Sequence, residues 1–156
     1  MLQRISKSTL FAAFAMLFFS PILSSFTTPA GGDMFEVYIN KKLAIRQYVT
    51  MKEPVKALQL QAGNYNDEIE VYYSHCGQTG SSRTVSIRDA QNKTLKEWHF
   101  QDSPGVKTPM AFNMKEITGL QKFNSGTTLQ LYYTSQELPE GRLLATLSRG
   151  SATASR

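Results

Sequence analysis

Four consecutive residues concentrate the reactive side chains of this sequence, Ser74-His75-Cys76-Gly77, and the second histidine of the chain is His99. A thiol, two imidazoles and a thioether such as Met51 or Met110 form a soft donor set suited to copper or zinc, which makes His75, Cys76 and His99 the metal-ligand candidates. The spacing works against them. Adjacent residues of a strand point to opposite faces, so His75 and Cys76 reach one ion only where the strand bends. The plainer expectation is that Cys76 is a small core filler and His75 a polar residue closing a strand. Nucleophilic catalysis by Cys76 needs a base, an orienting third group and an oxyanion hole. Gly77 and Gly80 offer backbone N–H groups nearby, but the local signatures of cysteine proteases are missing. Walker loops, dinucleotide fingerprints, HExxH and GxSxG are missing too. No catalytic residue is therefore assigned, and no cofactor is expected.

A second candidate is recognition. With the aliphatic residues of their strands turned inward, Tyr38, Tyr72 and Tyr132 point outward on three strands, beside Glu36, Glu70 and Gln130. On neighbouring strands the three rings would line one sheet face, ready to stack on sugar rings or to meet a protein partner. Tyrosine also suits half-wet strands for no functional reason. Asn64, Asn66, Asp67 and Glu68 gather hard oxygens that calcium accepts, although turn chemistry explains the same residues. Asn92-Lys93-Thr94 is a glycosylation sequon in a predicted hairpin turn.

The elements that position these residues read as strands. Phe35, Val37 and Ile39 alternate with Glu36, Tyr38 and Asn40, and Leu43, Ile45 and Gln47 alternate against Ala44, Arg46 and Tyr48, which predicts a hairpin around Asn40-Lys41-Lys42. Leu58 and Leu60 share a face in a short strand after Pro54. Ile69, Val71 and Tyr73 share one in EIEVYYSH; Val85 and Ile87 point inward in RTVSIRD. In TLKEWHF, Leu95 has the opposite parity from Trp98 and Phe100, which calls for a bulge or for two covered faces. A helical turn or two is expected around Met114 to Lys122. GTTLQLYYTSQ puts Leu129, Leu131 and Tyr133 on one face, ELPEGR reads as a turn, and LLATLSR closes the fold. The likeness of EIEVYYSHC to TLQLYYTSQ suggests equivalent strands in two sheets. About eight strands with frequent turn signals and at most one short helix predict an all-β antiparallel β-sandwich of immunoglobulin-like or jelly-roll type.

Arg4 and Lys7 precede an apolar run from Leu10 to about Leu23, followed by small and polar residues, the layout of an export signal. The run holds about 14 residues, where a membrane-spanning helix takes about 20. Residues 1–30 are expected to be a cleaved signal peptide, 31–150 a single domain, and 151–156 a frayed tail. Loss of Arg4 and Lys7 lowers 17 basic residues to 15 against 12 acidic ones. That mild, dispersed excess argues against nucleic acid. A lone cysteine allows no intrachain disulfide, so the domain must stand on packing. A periplasmic or extracellular location with no membrane span after signal cleavage follows.

The segments VYYSHCGQTGSSRTVSIRD, NKTLKEWHF and ELPEGRLLATL resemble small uncharacterised exported bacterial proteins. The resemblance spans nearly the whole exported region and implies a domain that stands alone, with no activity, ligand or catalytic residue to carry over. The expected function is an exported, non-enzymatic binding or structural module for a protein or carbohydrate partner, with a periplasmic metal-binding protein using His75, Cys76 and His99, or an enzyme of unknown class, as alternatives.

Overall fold

The computed structural model describes residues 32–49, 53–61, 67–102 and 108–150. The expected signal segment, the 151–156 tail, Asn64, Asn66 and Met51 lie outside them. No helix among the described residues is long and apolar enough to cross a membrane.

The described residues are mostly β, consistent with an all-β fold. Among them nine strands run as β1 (Met34–Ile39), β2 (Lys42–Tyr48), β3 (Lys56–Leu60), β4 (Glu68–Ser74), β5 (Arg83–Arg88), β6 (Thr94–Phe100), β7 (Met110–Asn113), β8 (Leu129–Ser135) and β9 (Leu138–Arg149). They form a four-stranded sheet in the order β2-β1-β4-β7 and a five-stranded sheet in the order β3-β9-β8-β5-β6. Two four-residue helices, α1 (Lys115–Thr118) and α2 (Gln121–Asn124), join β7 to β8 where one at most was expected. Ile117 and Phe123 seat them on the core.

Most of the expected inward residues form that core, with Ile39 and Leu58 at its margin, Leu43 outside it, and Met110, Phe112, Ala145 and Leu147 added. Phe35, Val37, Ile69, Val71, Tyr73, Met110 and Phe112 of the first sheet cluster with Val85, Ile87, Leu129, Leu131, Tyr133, Ala145 and Leu147 of the second. Burial of each large aliphatic side chain contributes about 1.5–3 kcal/mol before chain entropy is counted. Aromatic stacks cross between the sheets. Tyr73 lies on Tyr133 with ring centroids 4.3 Å apart, and Trp98 lies on Phe112 at 4.1 Å. The look-alike segments are thus β4 and β8, interior strands of the two sheets, and they meet through equivalent tyrosines.

Three expectations need correcting. The sheets are not wholly antiparallel, because β3 runs parallel to β9 along the edge of the five-stranded sheet. ELPEGR is not a turn: the reversal takes only Gln136 and Glu137, and β9 starts at Leu138. In β2 the register jumps so that Val37 faces Ile45 while Tyr38 faces Leu43. Ala44 is the extra residue of a bulge, and Leu43 leaves the core parity to stand on the outer face. A second bulge was legible in advance: Ile87 pairs with Lys96 and Arg88 with Thr94, which makes Leu95 the displaced residue.

Candidate functional site

The outward face of the four-stranded sheet follows from strand parity. Phe35 and Val37 of β1 point into the core, so Met34, Glu36 and Tyr38 point out. Their partners on β2 are Tyr48, Arg46 and Leu43, and on β4 Ser74, Tyr72 and Glu70. The rings of Tyr38 and Tyr72 meet edge to face with centroids 5.4 Å apart. Leu43 and Tyr48 are two of the three exposed large hydrophobic residues among those described.

Glu36 and Glu70 on this solvent-side face are only 4% and 5% exposed. Each stands across from a tyrosine of the neighbouring strand and holds a cation. Arg46 Nε donates to Glu36 Oε1 at 2.6 Å and the Tyr38 hydroxyl donates to Oε2 at 3.0 Å. Lys41 Nζ donates to Glu70 Oε1 at 2.8 Å and to Glu68 Oε1 at 2.9 Å. The bonds to Glu70 and then Glu68 push the Lys41 ammonium well above the usual lysine range, and the bond to Glu36 raises Arg46 likewise. Burial, then the Glu70 charge, raises the Tyr72 phenol. Lys41 and Arg46 stay cationic and Tyr72 stays neutral at neutral pH. The face therefore presents rings, aliphatic surface and charges already paired. Tyrosine, methionine and arginine are residues that docking surfaces favour.

Tyr132 is not part of it. It lies on β8 in the other sheet, opposite Ser86, with the Arg88 guanidinium 4.3 Å from its ring centroid. The three-ring platform becomes a pair, Tyr38 and Tyr72, extended by Leu43 and Tyr48. Parity already set Tyr48 opposite to Ile45 and Gln47, but Leu43 was misplaced because the Ala44 bulge that turns it outward leaves no mark in an alternating pattern.

Of the three metal-ligand candidates, His75 and Cys76 each come within 3.7 Å of the Asp33 carboxylate, and His99 stands on another strand. His75 closes β4 on the inner side, its ring 4.7 Å from that of Tyr73 and 5.7 Å from that of Tyr133. His99 stands on β6, where Nδ1 is 3.1 Å from Thr84 Oγ1 and Nε2 is 2.8 Å from Glu97. Cys76 is exposed rather than buried, in a turn with φ of 51°, and its nearest partner is Asp33 Oδ1 at 3.7 Å from Sγ. Burial and the Asp33 charge raise the thiol, which disfavours the nucleophilic thiolate. Met110 is a core residue. Among the described residues no three His, Cys, Asp or Glu side chains are grouped to hold a metal.

Around His75 the fold does assemble reactive groups that are distant in the sequence. Ser135 Oγ lies 3.1 Å and the Tyr133 hydroxyl 3.0 Å from His75 Nε2, and Asp33 Oδ2 lies 3.7 Å from Nδ1. Hydroxyl, imidazole and carboxylate stand in the order of a hydrolytic triad. Four observations make the cluster a tie instead. Ser135 is 6% exposed, and its hydroxyl shares one imidazole nitrogen with Tyr133. Asp33 is engaged by the Tyr73 hydroxyl at 2.8 Å. Gly80 lies so close that an added Cβ would sit 2.5 Å from the Tyr133 hydroxyl and 2.8 Å from His75 Nε2. The nearby Ser81 N–H, which an oxyanion would need, already donates to Glu137. Burial alone would raise Glu137, but backbone N–H bonds from Ser81 and from its own residue, with Ser135 and Ser81 adding theirs, hold it down at about 2. The cluster pins the 76–82 loop across the ends of β4 and β8.

Of the oxygen-rich loop, Asp67 accepts from Asn40 Nδ2 at 2.8 Å and Glu68 is held by Lys41. Asn92 of the sequon sits in the β5–β6 turn with φ of 62°. No protein-family model matches the chain, and neither a curated protein nor a solved structure shows significant similarity to it.

Proposed function

We propose that the chain is exported and acts as a non-enzymatic binding module, a β-sandwich of immunoglobulin-like or jelly-roll type whose contact surface is the outward face of its four-stranded sheet. The Tyr38–Tyr72 pair over paired, buried carboxylates carries the reading, because rings held in place by their neighbours lose little freedom when a partner covers them. Arg4, Lys7 and the apolar run from Leu10 support export. Periplasm or extracellular space supplies the partner, a protein or a carbohydrate. The test is capture from the native envelope with purified protein, comparing wild type with Tyr38→Ala/Tyr72→Ala and with Tyr132→Ala. A partner kept by wild type and by Tyr132→Ala but lost from the double variant supports the proposal. Equal capture by all three removes it.

A further inference from the structure

The four-stranded sheet ends in β2 on one side and β7 on the other, and the surroundings of β2 are unusual for an edge. All three exposed large hydrophobic residues among those described, Leu43, Tyr48 and Val55, lie on β2 or just ahead of β3. Exposed cations lie among them: Lys42 and Arg46 on β2, and Lys56, whose Nζ reaches the Arg46 carbonyl at 3.4 Å. The Val49 N–H donates to the Asp33 carbonyl, so by alternation Glu36 and Arg46 form a non-bonded pair and the Arg46 backbone groups face away from β1, where Lys56 meets the carbonyl. Arg46 is matched by the buried Glu36, whereas Lys42 and Lys56 have no carboxylate at ion-pair distance among the described residues.

Lysines on an edge ordinarily keep sheets from pairing. An edge guarded only for that purpose has no use for an exposed leucine, tyrosine and valine in the same place. Apolar anchors, open backbone groups and unmatched positive charge together are what a docking strand requires: main-chain bonds for affinity, alternate side-chain contacts for register, and opposite charge for capture.

We infer that β2 adds a strand from an acidic, extended segment of a partner protein, in register with Ile45–Tyr48 beyond the Ala44 bulge. The inference rests on the chain being a binding module but not on the tyrosine pair, so the two fail separately.

The test uses the exported chain with three fluorescent peptide probes: an alternating glutamate–valine decapeptide, its lysine–valine counterpart, and the glutamate–valine peptide N-methylated at alternate residues. Anisotropy is expected to show binding of the first, at least about tenfold weaker binding of the other two, and weakening of the first as salt rises from about 50 to about 500 mM. Lys42→Glu/Lys56→Glu is expected to weaken the acidic probe at least about tenfold, while Tyr132→Ala in the other sheet leaves it unchanged. Absence of binding, equal binding of the lysine probe, or undiminished binding of the N-methylated probe overturns the inference. The wild-type salt and probe comparisons decide the question even where the lysine variant fails to fold.

Discussion

Tyr72 and Tyr132 occupy the same place in two segments of nearly the same pattern, EIEVYYSH and TLQLYYTS, on interior strands of the two sheets. The following tyrosines, Tyr73 and Tyr133, turn inward and stack on each other across the core. The outward pair diverges. Tyr72 meets Tyr38 above the Glu36–Arg46 and Glu70–Lys41 pairs, while Tyr132 lies under Arg88 beside Ser86. Within an unbulged strand such as β4, or β8 up to Tyr133, parity along the chain decides which face a side chain takes. The strands brought alongside decide whether that face becomes an apolar patch or an ordinary wet surface.

Breaking the inward pair should have the largest effect. Tyr133→Ala or Tyr73→Ala is expected to cost about 3–5 kcal/mol in denaturant unfolding, as for other buried aromatic truncations, against about 1 kcal/mol or less for Tyr72→Ala or Tyr132→Ala. Equal costs at positions 73 and 72 would mean that the faces are misassigned. Next, Gly80→Ala drives a methyl into the Tyr133 hydroxyl and His75, and a loss of about 1–3 kcal/mol is expected in the same assay. A silent substitution would show that the 76–82 loop is not pinned.

Charge separates the outward faces further. Arg46→Ala takes the guanidinium from the buried Glu36 carboxylate, whereas Arg88→Ala uncovers a ring and breaks bonds only to neutral partners, Ser86 Oγ and Asn92 Oδ1. The melting temperature should drop clearly for the first and little for the second. The smallest effect is in acid. Glu137 titrates at about 2 when folded and near about 4.3 when unfolded, so the unfolded chain takes up the proton first. Its contribution is whole above the unfolded value and is lost as pH falls toward the folded one. Asp89 acts in the same direction, its carboxylate held low by Lys122 and by the backbone N–H groups of Lys93 and Gln91. Glu137→Gln should flatten the acid limb of a stability–pH curve, and an unchanged limb would contradict the assigned bonds.

How much of this was legible follows from the range of each interaction. The inward sets of β1, β4, β5 and β8 are period-2 patterns and were readable, as was the broken parity at Leu95. The outward turn of Leu43 was not, because a bulge at Ala44 depends on the partner strand. The parallel pairing of β3 with β9 joins segments about 90 residues apart and has no local signature. ELPEGR carries turn residues, yet Pro139, Glu140 and Gly141 belong to β9, where cross-strand pairing overrides local preference. At the candidate site, Tyr38 and Tyr72 were found from parity alone. The separation of Tyr132, the burial of Glu36 and Glu70, and the gathering of Asp33 and Ser135 around His75 required the strand order.

Photocrosslinking tests the proposed contact face most directly. A benzophenone amino acid placed at position 72 or at position 132 is compared in the protein within its native envelope, with melting temperature confirming the fold of each variant. The expected result is a discrete higher-mass adduct from position 72 and none from position 132. An adduct from 132 alone, or equal adducts from both, would contradict the assignment of the four-stranded sheet as the binding face.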